Sequence, residues 1–391
     1  MIFKIQKNDS SSRARVGILE TPHGKIETPA YVVVGTHANV RTLNPEDLTQ
    51  TKAQIIIANT YHLWRTLGDE GLKTYQGVHA ALGWQGPVMT DSGGFQVFSM
   101  GSAREFGAGK LGAFRWQGFK AGSDQSIVRI DEDGVWFRDE SGEHYLDAET
   151  SVQIQQRLGA DIIVTFDEPT SPLHDYEYTK QSLARTHAWA ERCIKAKTSD
   201  QLLMGVVQGG YFKDLREESA HVIGSLPFEG FAIGGSFGSS YGSQKRHTFE
   251  ELDWIIPHLP EDKPRHLLGI GSIDDIFEAV ARGVDTMDCV IPTREARHAA
   301  LWTSEGRLNI RGARFAKDQS PLDPQCACPI CIETKVTRAA LRALFKEKNP
   351  EAGRSATIHN IFFFNNLMEK IRHAIENDSF RELRNRYASA A

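Results

Sequence analysis

The feature that most constrains this chain is a recurring unit: a short apolar or β-branched run, a polar or glycine-rich turn, then a stretch whose apolar residues recur at helical spacing. Eight such runs are present: Ala30 to Val34 (AYVVV), Ile55 to Ala58 (IIIA), Pro87 to Thr90 (PVMT), Asp161 to Phe166 (DIIVTF), Leu202 to Val207 (LLMGVV), Phe231 to Ile233 (FAI), His266 to Ile270 (HLLGI) and Thr286 to Val290 (TMDCV). A strand that is apolar at nearly every position is buried on both faces, as in a parallel sheet covered by helices. Helical patterns lie between the runs, for example Thr150 to Leu158 (TSVQIQQRL) and Ile273 to Ala281 (IDDIFEAVA). Eight units predict an α/β protein, a (β/α)8 TIM barrel, with a doubly wound open sheet as the alternative.

Two stretches break the pattern. Gly101 to Asp147 is rich in Gly, Asp and aromatic residues and contains alternating pieces such as IVRI and VWFR, which predicts an antiparallel insertion at the barrel rim. From Arg294 onward come a hairpin pattern (ALWTSEGRLNI), a cysteine cluster (CACPIC) and a helical pattern through IHNIFFFNNLMEKIRHAIEN. The expected organisation is one catalytic domain over 1–391, with a zinc-binding subdomain inserted at about 305–360 and a C-terminal helix over 358–391. The SSS near the N-terminus reads as a flexible lead-in.

Composition excludes several classes. No stretch is apolar for the roughly 18 residues a membrane span needs, and the start lacks the apolar core of a signal peptide, so a cytoplasmic enzyme without membrane contact is expected. A net formal charge of -5 argues against a uniformly basic nucleic-acid binder. The charge is segregated, however: Leu301 to Ala391 carries 15 Lys+Arg against 10 Asp+Glu. Of the five cysteines, three crowd into Cys326, Cys328 and Cys331, a density suited to metal ligation in a reducing compartment. With His359 about one helix later, they supply the four tetrahedral ligands of a structural zinc, one per chain, with no open position for catalysis. Cys193 and Cys289 read as ordinary buried thiols, and His37, His62 and His298 as structural groups.

In such a barrel, residues just past the strand ends share one face. Those positions hold TDSGGFQ after the third run, FDEP after the fourth, VQGG after the fifth, GGSFG after the sixth, GIGS after the seventh, and MDC in the eighth. Three carboxylates, Asp91, Asp167 and Asp288, thus accompany Gln208 and glycines whose backbone can approach a planar ligand. Two carboxylates can divide the cleavage of a glycosidic bond, one attacking the anomeric carbon and the other moving the leaving-group proton, while the third recognises substrate. Any one of these aspartates could instead be a turn or N-cap residue. Arg294 and Arg297, just past the eighth run, suit bidentate phosphate contact, or equally a surface pairing with acids such as Glu295.

NTYHL (Asn59 to Leu63), TDSGGFQ (Thr90 to Gln96), VQGG (Val207 to Gly210), AIGG (Ala232 to Gly235), LLGIG (Leu267 to Gly271), DCVIPTR (Asp288 to Arg294) and CxCxxC with His359 together resemble, in order, the tRNA-guanine transglycosylase family, bacterial type, over nearly the whole chain. The resemblance implies exchange of the wobble guanine of tRNAs with GUN anticodons for a 7-deazaguanine base, queuine or preQ1. It implies Asp288 as nucleophile on ribose C1′ and Asp91 as general acid, then base. By the same resemblance Asp167, Gln208, the Gly235 amide and the Leu268 carbonyl bind the base, and Phe95 stacks on it. Asn59 and Gln96 then hold Asp91, Arg294 and Arg297 lie near the anticodon-loop backbone, and the enzyme is a homodimer.

Three positions depart from the bacterial pattern: Pro169 where a cysteine is usual, Gly238 where a branched aliphatic is usual, and Ala299 where a glycine usually follows the Arg-His pair. The first two lie beside the base's 7-substituent in the family. The missing bulk at Gly238 resembles members that take queuine, which gives the expectation of queuine salvage. A hydrolytic nucleosidase or glycosidase and a noncatalytic RNA-binding partner subunit are the competing readings. The presence of both Asp91 and Asp288 counts against the second. Archaeal-type exchange normally brings further RNA-binding domains after the barrel, and these are not expected here.

Overall fold

The computed structural model describes residues 2–98, 128–171, 174–235 and 249–388. All eight apolar runs form strands: β1 (Ala30–Val34), β2 (Ile56–Ala58), β3 (Val88–Thr90), β4 (Ile162–Val164), β5 (Leu202–Val207), β6 (Gly230–Ile233), β7 (Arg265–Leu267) and β8 (Thr286–Asp288). They close into a barrel in chain order, β8 returning to β1 in parallel register with Thr286 opposite Ala30 and Asp288 opposite Val32. Closure decides against the open sheet. The strands are buried almost throughout, which is why the sequence shows continuous apolar runs instead of alternation.

Helices follow the strands, and their ends are written in the sequence. The helix Ala148–Leu158 starts at Asp147, whose carboxylate accepts from the Thr150 N–H, and stops at Gly159 with φ 73°. Its Gln155 is fully buried because its amide replaces ladder bonds at β4: Nε2 donates 2.8 Å to the Val164 carbonyl, and Oε1 accepts 2.9 Å from the Val164 N–H. Within the expected insertion, Val128–Ile130, Gly134–Asp139 and Gly142–Asp147 form a three-stranded antiparallel sheet; 101–127 lie outside the described residues. Among the described residues no helix is long and apolar enough to cross a membrane.

By internal contacts the chain divides into two compact units, 1–58 with 79–88 and 269–391, and 59–78 with 89–268. In the first unit the N-terminal segment corrects the expectation of a flexible lead-in. Phe3–Asn8, Arg15–Thr21 and Gly24–Thr28 form an antiparallel sheet. Ser11 and Ser12 sit in its turn, both hydroxyls donating to the buried Asp9 carboxylate at 3.0 and 2.7 Å. Arg15 then anchors the sheet through a buried two-point pair to Asp285, at 2.8 and 2.6 Å, just before β8.

After β8 come the short helix Ile291–Arg297, the expected hairpin Ala300–Thr303/Gly306–Asn309, and the helices Pro329–Ile332, Arg338–Lys346, Pro350–Glu376 and Phe380–Ala388. Ala299, between helix and hairpin, is fully buried and has φ 65°, a conformation that favours glycine. For an L-residue it costs about 1–2 kcal/mol. Glycine's greater chain entropy returns about 0.5–1 kcal/mol of any relief. Ala299→Gly is therefore expected to raise stability by about 0.5 kcal/mol in chemical denaturation. A less stable variant would show that the buried methyl outweighs the strain.

Candidate active site

In the second unit, β3 ends one residue before Asp91. Its carboxylate is held on both oxygens: Oδ2 accepts from Asn59 Nδ2 at 2.5 Å, and Oδ1 from the backbone N–H groups of Thr60 at 2.9 Å and Gly93 at 3.2 Å. Asn59 is also the N-cap of the helix Thr60–Thr74, its Oδ1 accepting from the His62 N–H at 2.9 Å. An amide can do both at once, with separate donor and acceptor atoms, which gives the Asn of NTYHL a physical reason. Gln96, expected as a second holder, makes no hydrogen bond to Asp91; its Oε1 is buried without a partner among the described residues. The backbone amides of Thr60 and Gly93 stand where Gln96 was expected. Phe95 is 54% exposed, the ring free to meet a planar group.

Asp167, just past β4, is buried and receives Ser92 Oγ at 3.2 Å and Gln208 Nε2 at 2.7 Å. Burial pushes its carboxyl up to about 6, against the pull of those two donors. Ser92 directly follows Asp91, so one β3 segment supports both carboxylates. Nothing in the sequence singled out Ser92 beyond its place in TDSGG. Gln208, at the end of β5, is wedged by Gly234, where a Cβ would come within 2.4 Å of Nε2. Leu268, just past β7, turns its own N–H to the Ile233 carbonyl at 3.1 Å. Glu168 is fully engaged by Arg185 at 2.7 Å and Tyr178 at 2.9 Å, and so is structural. Pro169 is half-buried beside it, whereas Gly238 lies outside the described residues.

In the first unit, Asp288 ends β8, half-exposed, and its Oδ1 accepts from the Gly269 N–H at 3.0 Å. Gly269 has φ 74°, which lets the turn after β7 present that amide. Cys289, the residue after β8, is buried, and burial raises its thiol to about 11. Tyr31 on β1 donates its hydroxyl to the Cys289 carbonyl at 3.1 Å. Arg294 is exposed and Arg297 half-buried; Glu295 pairs with Arg307 at 2.8 Å, so the surface pairing of the two arginines with Glu295 is not what forms. Burial, then the like charges of Arg41 and Arg294, lower the Arg297 guanidinium's pKa.

Cys326, Cys328, Cys331 and His359 bring their ligand atoms within 4.8 Å of one another. Sγ of Cys328 and of Cys331 lie 3.5 Å from His359 Nδ1, close to the edge of about 3.5 Å that metal–ligand bonds of zinc length give a tetrahedron. His359 Nε2 lies 2.9 Å from the Trp302 carbonyl, which takes that N–H and leaves Nδ1 to a metal. Asp323 prepares the loop, accepting from Ser304 and from the Gln325 N–H. The four residues can hold one metal ion.

Comparisons with known proteins identify the family. The family model described as queuine tRNA-ribosyltransferase matches residues 9–391. Proteins of that name from Halothermothrix orenii and Thermoanaerobacter sp. are 43% and 42% identical over 388 and 389 residues, each alignment covering 98% of this chain and 96% of the relative. The one from Geobacillus kaustophilus is 42% identical over 389 residues, 98% of this chain and 95% of its own. With a match of this length on a closed eight-stranded barrel, the chain belongs to the queuine tRNA-ribosyltransferase family of pentosyltransferases.

Proposed function

We propose that this protein exchanges the wobble guanine of GUN-anticodon tRNAs for a 7-deazaguanine base through a covalent aspartyl intermediate. The observation that carries the reading is the pair of strand-end carboxylates, each oriented by N–H donors: Asp91 by Asn59, Thr60 and Gly93, and Asp288 by Gly269. A carboxylate Oδ of Asp288 attacks ribose C1′ as the bond from C1′ to N9 breaks, and Asp91 gives the departing guanine its proton. The incoming base then loses a proton to Asp91 and displaces Asp288 from C1′. The resulting glycosyl ester keeps the bond energy for the second half, so the exchange needs no further driving force.

Asp167 and Gln208 hydrogen-bond the base, with the Gly235 amide and the Leu268 carbonyl on its other edge and Phe95 stacked on its face. The anticodon loop suits such a pocket because its bases are already unpaired and leave the stack at small cost. Arg294 and Arg297 receive the loop's phosphates, and the basic C-terminal stretch adds to that attraction. The metal of the Cys326, Cys328, Cys331 and His359 site is zinc, whose four protein ligands leave it a structural part. Two copies of the chain acting as a homodimer complete the expected assembly.

The test is tRNA carrying labelled guanine, incubated with queuine or preQ1. Label release together with incorporation of the new base is expected, with queuine preferred. Release without incorporation would make the protein a hydrolase, and efficient preQ1 exchange with none for queuine would overturn the base preference. For the metal, one zinc per chain is expected. Its chelation should remove hydrogen-exchange protection from the helix Pro350–Glu376, since structural zinc contributes on the order of 10 kcal/mol to a site that folds around it. Protein that purifies metal-free with that helix still protected would sink the assignment.

A further inference from the structure

Arg216 lies in the first turn of the helix Lys213–Ser225, in a sequence (KDLREES) that reads as an ordinary charged helix face. It is instead fully buried. Its Nε donates to the Gly210 carbonyl at 2.8 Å and its Nη1 to the Gly234 carbonyl at 2.6 Å, with the Val207 carbonyl at 3.5 Å. Its Nη2 meets Glu251 Oε2 at 2.7 Å, and Glu251 is equally buried, on the helix Glu250–Ile255. One guanidinium therefore joins the turn after β5 to the turn after β6. The helix start packs tightly on the same turn: Gly209 has φ 137°, and a Cβ there would lie 2.8 Å from the Arg216 backbone nitrogen.

The Gly234 carbonyl and the Gly235 N–H belong to one trans peptide and point in opposite directions. Holding the carbonyl on the Arg216 side fixes the N–H toward the other side, where the proposed base-binding edge lies. We infer that Arg216 is a positioning residue for base recognition: it sets the plane of the Gly234–Gly235 peptide, and with it the donor that reads the ring carbonyl of guanine. The inference rests on the base-exchange reading given above. A rigid fork with donors at fixed angles is what such a task requires; a lysine offers a single point of attachment.

Removing Arg216 alone would strand the Glu251 charge in the core, so the informative variant is Arg216→Met with Glu251→Met, which removes the buried pair together. With saturating tRNA, the expected result is a KM for the incoming base raised about tenfold, the loss of one well-aimed hydrogen bond. KM for tRNA should stay near its native value, while the thermal midpoint should fall because the Gly210 and Gly234 carbonyls lose their donor. Calorimetric titration of the tRNA-free protein with guanine should show the same fall in affinity. Arg216→Lys should regain only part of it. A double variant with native base KM and native guanine affinity overturns the inference, as does one whose base and tRNA KM values worsen together. Native protein that exchanges no base overturns the functional reading instead, and the guanine titration still reads Arg216 separately.

Discussion

Replacing Asp288 by asparagine is expected to cut guanine exchange by on the order of 10⁴-fold or more while leaving the barrel folded. The substitution keeps size and the contact with the Gly269 N–H but replaces the carboxylate oxygen proposed to attack C1′ with an NH2 group and removes the charge. Native enzyme mixed with tRNA and quenched in denaturant should show a band of protein linked to RNA, and Asp288→Asn should show none. Asp91→Asn tests the other role: it should slow exchange by about 10²–10⁴-fold, the range for a lost general acid. Retained exchange with an intact adduct in Asp288→Asn would remove this residue as nucleophile.

Asp167 gives the second large effect, in two directions at once. Its carboxyl rises from 3.8 to about 6 because burial opposes its charge. The raised value means that the folded protein binds this proton more tightly than the unfolded chain. The group's contribution to stability is then greatest below pH 4 and is lost as pH rises through about 6. Two units correspond to about 3 kcal/mol of cost above that range. Asp167→Asn should therefore be more stable than the native protein at pH 8, by up to about 3 kcal/mol in denaturant unfolding, with the gap closing by pH 4. The same change should weaken base binding about 100-fold, since hydrogen bonds to a charged partner are lost. In the native enzyme, the KM for the base should climb as pH falls below about 6. An asparagine variant less stable than native at pH 8 would show that the Ser92 and Gln208 bonds outweigh the buried charge.

What could be read from the sequence follows from where side chains point. The eight barrel strands were legible because helices on one side and the barrel core on the other leave no polar position in runs such as LLMGVV. The cysteine cluster was legible because metal chemistry demands a spacing. The N-terminal sheet was not: Phe3–Asn8 alternates exposed with buried or half-buried residues over six positions, too few to outweigh the serines that follow. Arg216 was not legible either, because its burial depends on a glutamate thirty-five residues later and on two glycine turns. At the candidate site the acidic residues were legible and their holders only in part. Asn59 was foreseen, but the Thr60 and Gly93 amides belong to the backbone, which carries no residue signature.

The barrel's last strand, β8, pairs with its first, Ala30 with Thr286 and Val32 with Asp288. Such a long-range pairing is the slowest kind of contact to form, because the whole intervening chain must first be brought together. A chain still emerging from synthesis thus holds Asp91 and Asp167 before it holds Asp288 in place. Ring closure and the arrival of the proposed nucleophile are one event, so a partly folded chain would carry the proposed base-binding carboxylate but not the group proposed to open the glycosidic bond.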